Sequence, residues 1–170
     1  LAVGGQITDA ESRPIEGAMI YTGFSRYDSD KRETKTDALG RYEFTNCKAR
    51  DLVLTVMAAG YAPDLREVAV SETLGDVNFQ LGPGYSVTVH VVDRNGNGIE
   101  GVKVEGDEWR TYGTGNQEAR TIRCSAKTNA IGHATLTDLP ADAVKYYVRK
   151  SGYASYNEFI MTADQQAEYT

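Results

Sequence analysis

Rings, arginines and glycines gather in two short stretches of this chain, and these residue types could do recognition chemistry. One stretch carries Tyr21, Phe24, Arg26 and Tyr27; the other carries Trp109, Arg110 and Tyr112. Exposed rings offer flat apolar faces for stacking, while a guanidinium supplies directed hydrogen bonds. That combination suits a sugar ring or an extended peptide. Trp109, Arg110, Tyr112, Phe24, Arg26 and Tyr27 are therefore the candidate ligand-binding residues, and Trp109 is the single tryptophan of the chain. The competing reading is that the rings close a sheet edge or pack between domains. Exposure of the indole separates the two.

Other chemistry lacks its parts. Asp93, Asn95, Asn97 and Gly98 resemble the opening of a calcium loop, but the twelfth position, where a bidentate Glu would close the shell, is Val104. The same Asn-Gly pairs are what a tight hairpin turn requires. His90 and His133 are the only histidines, lie 43 positions apart and fall on outward positions of their strands, so they read as surface residues and not as metal ligands. Cys47 and Cys124 occupy non-matching positions, which leaves two isolated thiols or one bridge between distant parts. No Gly-x-Ser-x-Gly elbow or phosphate-binding loop occurs. The expectation is no catalytic residue, no metal and no cofactor, hence no enzyme.

Charge narrows the partners. The chain of 170 residues has a formal net charge of −6, with 13 Asp/Glu against 9 Lys/Arg in residues 1–82 and 11 against 9 in the remainder. No basic stripe appears, which argues against nucleic acid, since phosphate binding needs clustered positive charge. No apolar run approaches the ~20 residues needed to cross a bilayer as a helix. The sequence begins with Leu and carries no signal peptide, as expected of a processed protein or an excised fragment.

The elements that must position these residues come in two copies. The string 13–21 (RPIEGAMIY) recurs as 97–105 (NGIEGVKVE), offset by 84 positions; 36–44 (TDALGRYEF) recurs as 128–136 (TNAIGHATL) and 58–62 (AAGYA) as 150–154 (KSGYA), offset by 92. The second copy thus holds eight extra residues, around Trp109. A repeat this long exceeds a solenoid unit and suits two small domains, 1–82 and 83–170. Both copies read as strands. Val87, Val89 and Val91 alternate with Thr88 and His90, Tyr42 and Phe44 alternate with Arg41 and Glu43, and Leu52, Leu54 and Val56 with Val53 and Thr55. Turn residues separate the runs, and only residues 163–170 leave a short helix or a frayed tail open. The fold class is all-β: two tandem antiparallel β-sandwiches of seven-stranded type, prealbumin-like or Ig-like. Leu81-Gly-Pro-Gly84 is too short for a flexible tether, so the domains should be closely coupled.

The order of these motifs resembles the carboxypeptidase regulatory-like domain. It runs Gly5-Gln-Ile-Thr-Asp9, Pro14-Ile-Glu-Gly-Ala18, Thr36-Asp-Ala-Leu-Gly-Arg-Tyr-Glu-Phe44 and Gly60-Tyr61; in the second copy Asn129 replaces the Asp, and Ala134 and Leu136 replace the two aromatics. The resemblance implies a transthyretin-like sandwich and a non-catalytic attachment to a secreted, periplasmic or cell-surface protein. Its partners would be other domains of a parent protein. Relatives with chemistry do not transfer: the first strands hold no Lys for an isopeptide crosslink, and the two histidines do not make the iron site of an intradiol dioxygenase. The expected function is a non-catalytic accessory module that spaces, docks or binds a ligand. The alternative is a carbohydrate-binding tandem module using the Phe24 and Trp109 loops.

Overall fold

Alternating burial along the strands defines the architecture of the computed structural model, in which fifteen strands are the regular elements among the described residues. Those are all residues except 24–28, 113–116, 120–121, 154–156, 164–166 and 170; for 111, 112, 117–119, 157, 158 and 167–169 only the backbone is described. The N-terminal half contains β1 (Val3–Asp9), β2 (Met19–Thr22), β3 (Glu33–Lys35), β4 (Arg41–Phe44), β5 (Asp51–Met57), β6 (Asp64–Ala69) and β7 (Phe79–Leu81). They form a sheet of order β4-β1-β7 and a second of order β3-β2-β5-β6. Between them Ile7, Ile20, Phe44, Leu54 and Phe79 are buried.

The C-terminal half repeats this layout. It contains β8 (Tyr85–Val91), β9 (Lys103–Tyr112), β10 (Gln117–Ala119), β11 (Ser125–Lys127), β12 (His133–Leu139), β13 (Val144–Arg149), β14 (Asn157–Met161) and β15 (Ala167–Tyr169). One sheet has the order β12-β8-β15; the other has the order β10-β9-β13-β14, with β11 also on β9. The eight additional residues lengthen β9 and add β10. As the alternation predicts, Val87, Val89 and Val91 face inward, opposite Ala134 and Leu136.

The turns that shape both halves use the same hydrogen bonds. Asp9 Oδ1 accepts the N–H groups of Glu11 and Arg13, and Asp93 Oδ1 accepts those of Asn95 and Asn97. Asn97 also donates its side-chain amide to Asp93 Oδ2 at 3.1 Å, so this segment is built as a turn in which the carboxylate caps backbone amides. Asp37 and Asn129 each accept two amides in the second type of turn, despite the change of residue. Gly40 and Gly132 close these turns at φ 70° and 82°, a conformation that glycine adopts without Cβ strain.

Two features depart from the sequence expectation. Pairing is mainly antiparallel, but β1–β7 and β8–β15 are parallel. The second of these uses Ala167–Tyr169, which form a strand instead of a helix or loose tail. The other departure is β5, where Leu52, Val53, Leu54, Thr55 and Val56 are all buried, so neither face of the strand meets solvent. Its second face is covered by the C-terminal half: Val53 and Leu65 belong to the cluster that includes Trp109, Ile122, Leu139 and Val144. Cys47 and Cys124 are free thiols.

Candidate functional site

The Trp109–Arg110 pair sits where the two halves meet. Successive residues of a regular strand point to opposite faces, yet here both reach one carboxylate. Trp109 Nε1 donates to Asp142 Oδ2 at 3.0 Å, and Arg110 Nε donates to the same oxygen at 2.7 Å. A bulge in β9 makes this geometry. Ala119 pairs with Trp109 and Glu118 with Thr111, leaving Arg110 as the extra residue between them. Its φ of 53° lies in the left-handed region, which costs a non-glycine residue about 1–2 kcal/mol.

That strain is held by charge. Arg110 Nη1 donates to Asp64 Oδ1 at 2.8 Å, so one guanidinium spans the C-terminal carboxylate Asp142 and the N-terminal carboxylate Asp64. It also lies over the Trp109 ring at 4.5 Å. Burial works to lower the Arg110 pKa, but its bonds to Asp142 and Asp64 outweigh that and raise it. For Asp142, burial works upward, and the Arg110 and Trp109 donors outweigh it, holding the carboxyl below its ordinary value. The site is therefore a bridge between fixed charges.

Trp109 is only 1% exposed. The ring face needed for stacking on a sugar is covered by protein, and the indole serves as packing at the junction. Arg110 is engaged by two carboxylates of the chain itself. Tyr112 ends β9, pairing with Gln117 in the backbone, while its side chain lies outside the described set. Phe24, Arg26 and Tyr27 also lie outside the described residues. Asp64 and Asp142, 46 and 32 positions from Arg110, had no signal in the sequence, being single carboxylates among 24 Asp/Glu. Val53 had one: Leu52-Val53-Leu54, with Val56 beyond Thr55, comes close to the continuous apolar run of a strand covered on both faces.

The junction extends beyond this pair. Asp138 Oδ1 accepts the N–H of Gly60 at 3.0 Å. The connecting segment folds back onto the same turn, with Ala62 N–H bonded to Gly82 O and Gly84 N–H to Gly60 O, and Tyr61 bridged to Pro83. Beside it lies an open cavity of about 370 Å³, whose walls include Met19, Met57, Tyr61, Arg123, Cys124 and Asp138. Burial pushes the Cys124 thiol up to about 11, which favours its protonated form. Among the described residues, no group of three His, Cys, Asp or Glu is placed to hold a metal ion.

The family model of the carboxypeptidase regulatory-like domain matches residues 2–82. Those residues belong to that family. The carboxypeptidase regulatory-like half thus supplies Asp64, Val53 and Leu65 to the junction, and the resemblance read from its turn and strand motifs is correct. No curated protein sequence matches the chain. Among solved structures, a Bacillus anthracis protein named TIE is similar over 99% of this chain and 32% of its own, at 13% identity and a TM-score of 0.42. GBS52, the minor pilin of Streptococcus agalactiae, is similar over 98% of this chain and 92% of its own, at 15% identity and a TM-score of 0.39. The shaft pilin SpaA of Lactobacillus rhamnosus GG is similar over 98% and 95%, at 13% identity and a TM-score of 0.38. The chain spans about a third of the first of these and nearly all of the other two. Among the described residues, no helix is long and apolar enough to cross a membrane.

Proposed function

We propose that this chain is a non-catalytic accessory module of an extracytoplasmic protein, in which two tandem sandwich domains, 1–82 and 83–170, hold one fixed mutual orientation. Its work is to set the distance and angle between whatever is joined at its two ends. The observation that carries this reading is the buried, charge-bridged junction. Val53 and Leu65 are 0% and 2% exposed against the C-terminal core, and Arg110 ties Asp64 to Asp142 beside them. Burying two aliphatic side chains across the junction contributes about 3–6 kcal/mol by area. A flexible pair would leave these groups in water, and interfaces within a chain move by default unless they are large and apolar. The family of the N-terminal half supports the location and the absence of catalysis.

Residual dipolar couplings test the reading. Both halves of the wild type should fit one alignment tensor of equal magnitude. In Arg110→Ala combined with Leu65→Ser, the halves should require tensors of different magnitude while each keeps its own fold. Two unequal tensors in the wild type would overturn the proposal.

A further inference from the structure

The turn after β8 carries a chemistry that its structural role does not use. Asn95 and Asn97 are the asparagines of this chain that glycine follows, and glycine lacks the Cβ that elsewhere shields the next backbone nitrogen. We propose that Asn95 is a site of spontaneous covalent modification, converted by water to aspartate and isoaspartate, and that the fold spares Asn97. The step needs no oxidant or reductant. The Gly96 nitrogen gives up its proton to solvent and attacks Asn95 Cγ. The Cγ–Nδ2 bond breaks, and the side-chain nitrogen takes a proton from solvent and leaves as ammonia. Water then opens the cyclic imide. Attack at Cγ gives aspartate, whereas attack at the backbone carbonyl leaves the chain running through Cγ, as isoaspartate. Either product adds one carboxylate to a chain of net charge −6.

Three differences between the two pairs carry this choice. The first is the side chain. Asn95 is exposed and its amide has no hydrogen-bond partner among the described residues, whereas Asn97 donates its amide to Asp93 Oδ2 at 3.1 Å. The second is the backbone. Asn97 N–H donates to Asp93 Oδ1 at 2.9 Å, and Asn97 O accepts the Asp93 N–H at 2.8 Å, next to the bridge between Val92 and Gly98. Closing an imide at Asn97 therefore pulls on paired strands. At the turn tip, Asn95 N–H reaches Asp93 Oδ1 at 2.8 Å and Gly96 N–H reaches Asp93 O at 2.9 Å. The second of these bonds ends when the nitrogen loses its proton. The third difference is room. A Cβ at Gly96 would meet nothing within 4 Å, but at Gly98 it would stand 2.3 Å from both the carbonyl carbon and the oxygen of Ile131. The ring at Asn95 closes in open water; the ring at Asn97 has to form against backbone.

The test is incubation of the whole chain in mildly alkaline buffer at body temperature, folded and in urea. Peptic peptides made at acid pH are then sequenced by mass spectrometry, which separates isoaspartate from aspartate at each position. Closing the imide at Asn97 gives up the amide bond to Asp93, so in the folded chain Asn95 should convert about tenfold faster than Asn97. In urea, where the Asp93 contacts and the packing on Ile131 are lost, the two should convert at similar rates. Asn95→Gln should remove the fast phase of ammonia release with circular dichroism unchanged. Similar rates at both positions in the folded chain, or faster conversion at Asn97, would sink the proposal. So would an Asn95 that stays intact in the folded chain while converting in urea. The wild type alone decides the matter, so the result does not depend on how any variant folds.

Discussion

At the scale of the residue, Arg110 concentrates the chemistry of the chain. It stands at φ 53° in a bulge, and its guanidinium answers two carboxylates from different halves. Hydrogen bonds to charged partners contribute about 1.5–3 kcal/mol when sheltered, less where water reaches them. Arg110→Ala should cost about 2–3 kcal/mol, because it loses the bridge while keeping the Cβ strain of the wild type. Arg110→Gly loses the same bridge without the Cβ, and should be about 1 kcal/mol less destabilised. Urea midpoints of the two variants check this; equal losses would show that the backbone is not strained. Acid should expose the same bridge. The Asp142 carboxyl is lower in the folded chain than in the unfolded one. Its contribution is then complete above the unfolded carboxylate range near pH 4, and is lost as pH falls through the depressed value. Asp142→Asn lacks that contribution at any pH. The stability gap between wild type and Asp142→Asn should be full at pH 6 and close below pH 4; parallel curves would refute the assignment. None of this was legible in the sequence. Arg110 looked like a ligand donor because its neighbours are polar and glycine-rich, whereas its partners are single carboxylates from remote strands.

At the scale of the element, local pattern carried most of the information. Tyr42 and Phe44 point inward and Arg41 and Glu43 outward, as their period of two requires. Val87, Val89 and Val91 do the same. The turns were legible because Asp9, Asp37, Asp93 and Asn129 cap amides two and four residues ahead, an interaction set by the chain's own reach. β15 was not legible, since its three residues gain order only by parallel pairing with β8, some 78 positions away. Equivalent elements should also respond alike. Thr36 Oγ1 accepts the Ala18 N–H at 2.8 Å and donates to Ile15 O at 2.7 Å. Thr128 Oγ1 accepts the Val102 N–H at 2.8 Å and donates to Ile99 O at 2.6 Å. Both threonines are buried. Replacing either by Val keeps the shape and strands a donor and an acceptor, at about 2–3 kcal/mol. Thr36→Val and Thr128→Val should therefore lower stability to a similar degree. A large effect at one position and none at the other would mean that the two turns bear different loads.

At the scale of the whole molecule, the question is whether the halves unfold together. Leu81-Gly-Pro-Gly84 has the composition of a hinge, but its backbone is bonded to the Gly60 turn on both sides of Pro83. Gly84 is also crowded: a Cβ there would stand 2.8 Å from the Asp138 Cα and 3.1 Å from the Tyr61 carbonyl. Both neighbours are backbone and cannot rotate away. Asp138 is itself held by the Gly60 N–H, so a side chain at position 84 would push the C-terminal half from the N-terminal one. Shared burial of Val53 and Leu65 links the two cores, which makes partial unfolding expensive: opening one half uncovers apolar surface of the other. Urea unfolding of the wild type should then follow one transition, with tryptophan fluorescence from Trp109 and far-ultraviolet circular dichroism coinciding. Gly84→Val should wedge the junction, separating the fluorescence transition from the dichroism transition and lowering the slope of each relative to the wild type, because less surface is exposed per cooperative step. A Gly84→Val chain that still unfolds in one coincident transition would mean that the Arg110 bridge and the shared core suffice without the close approach of the connecting segment.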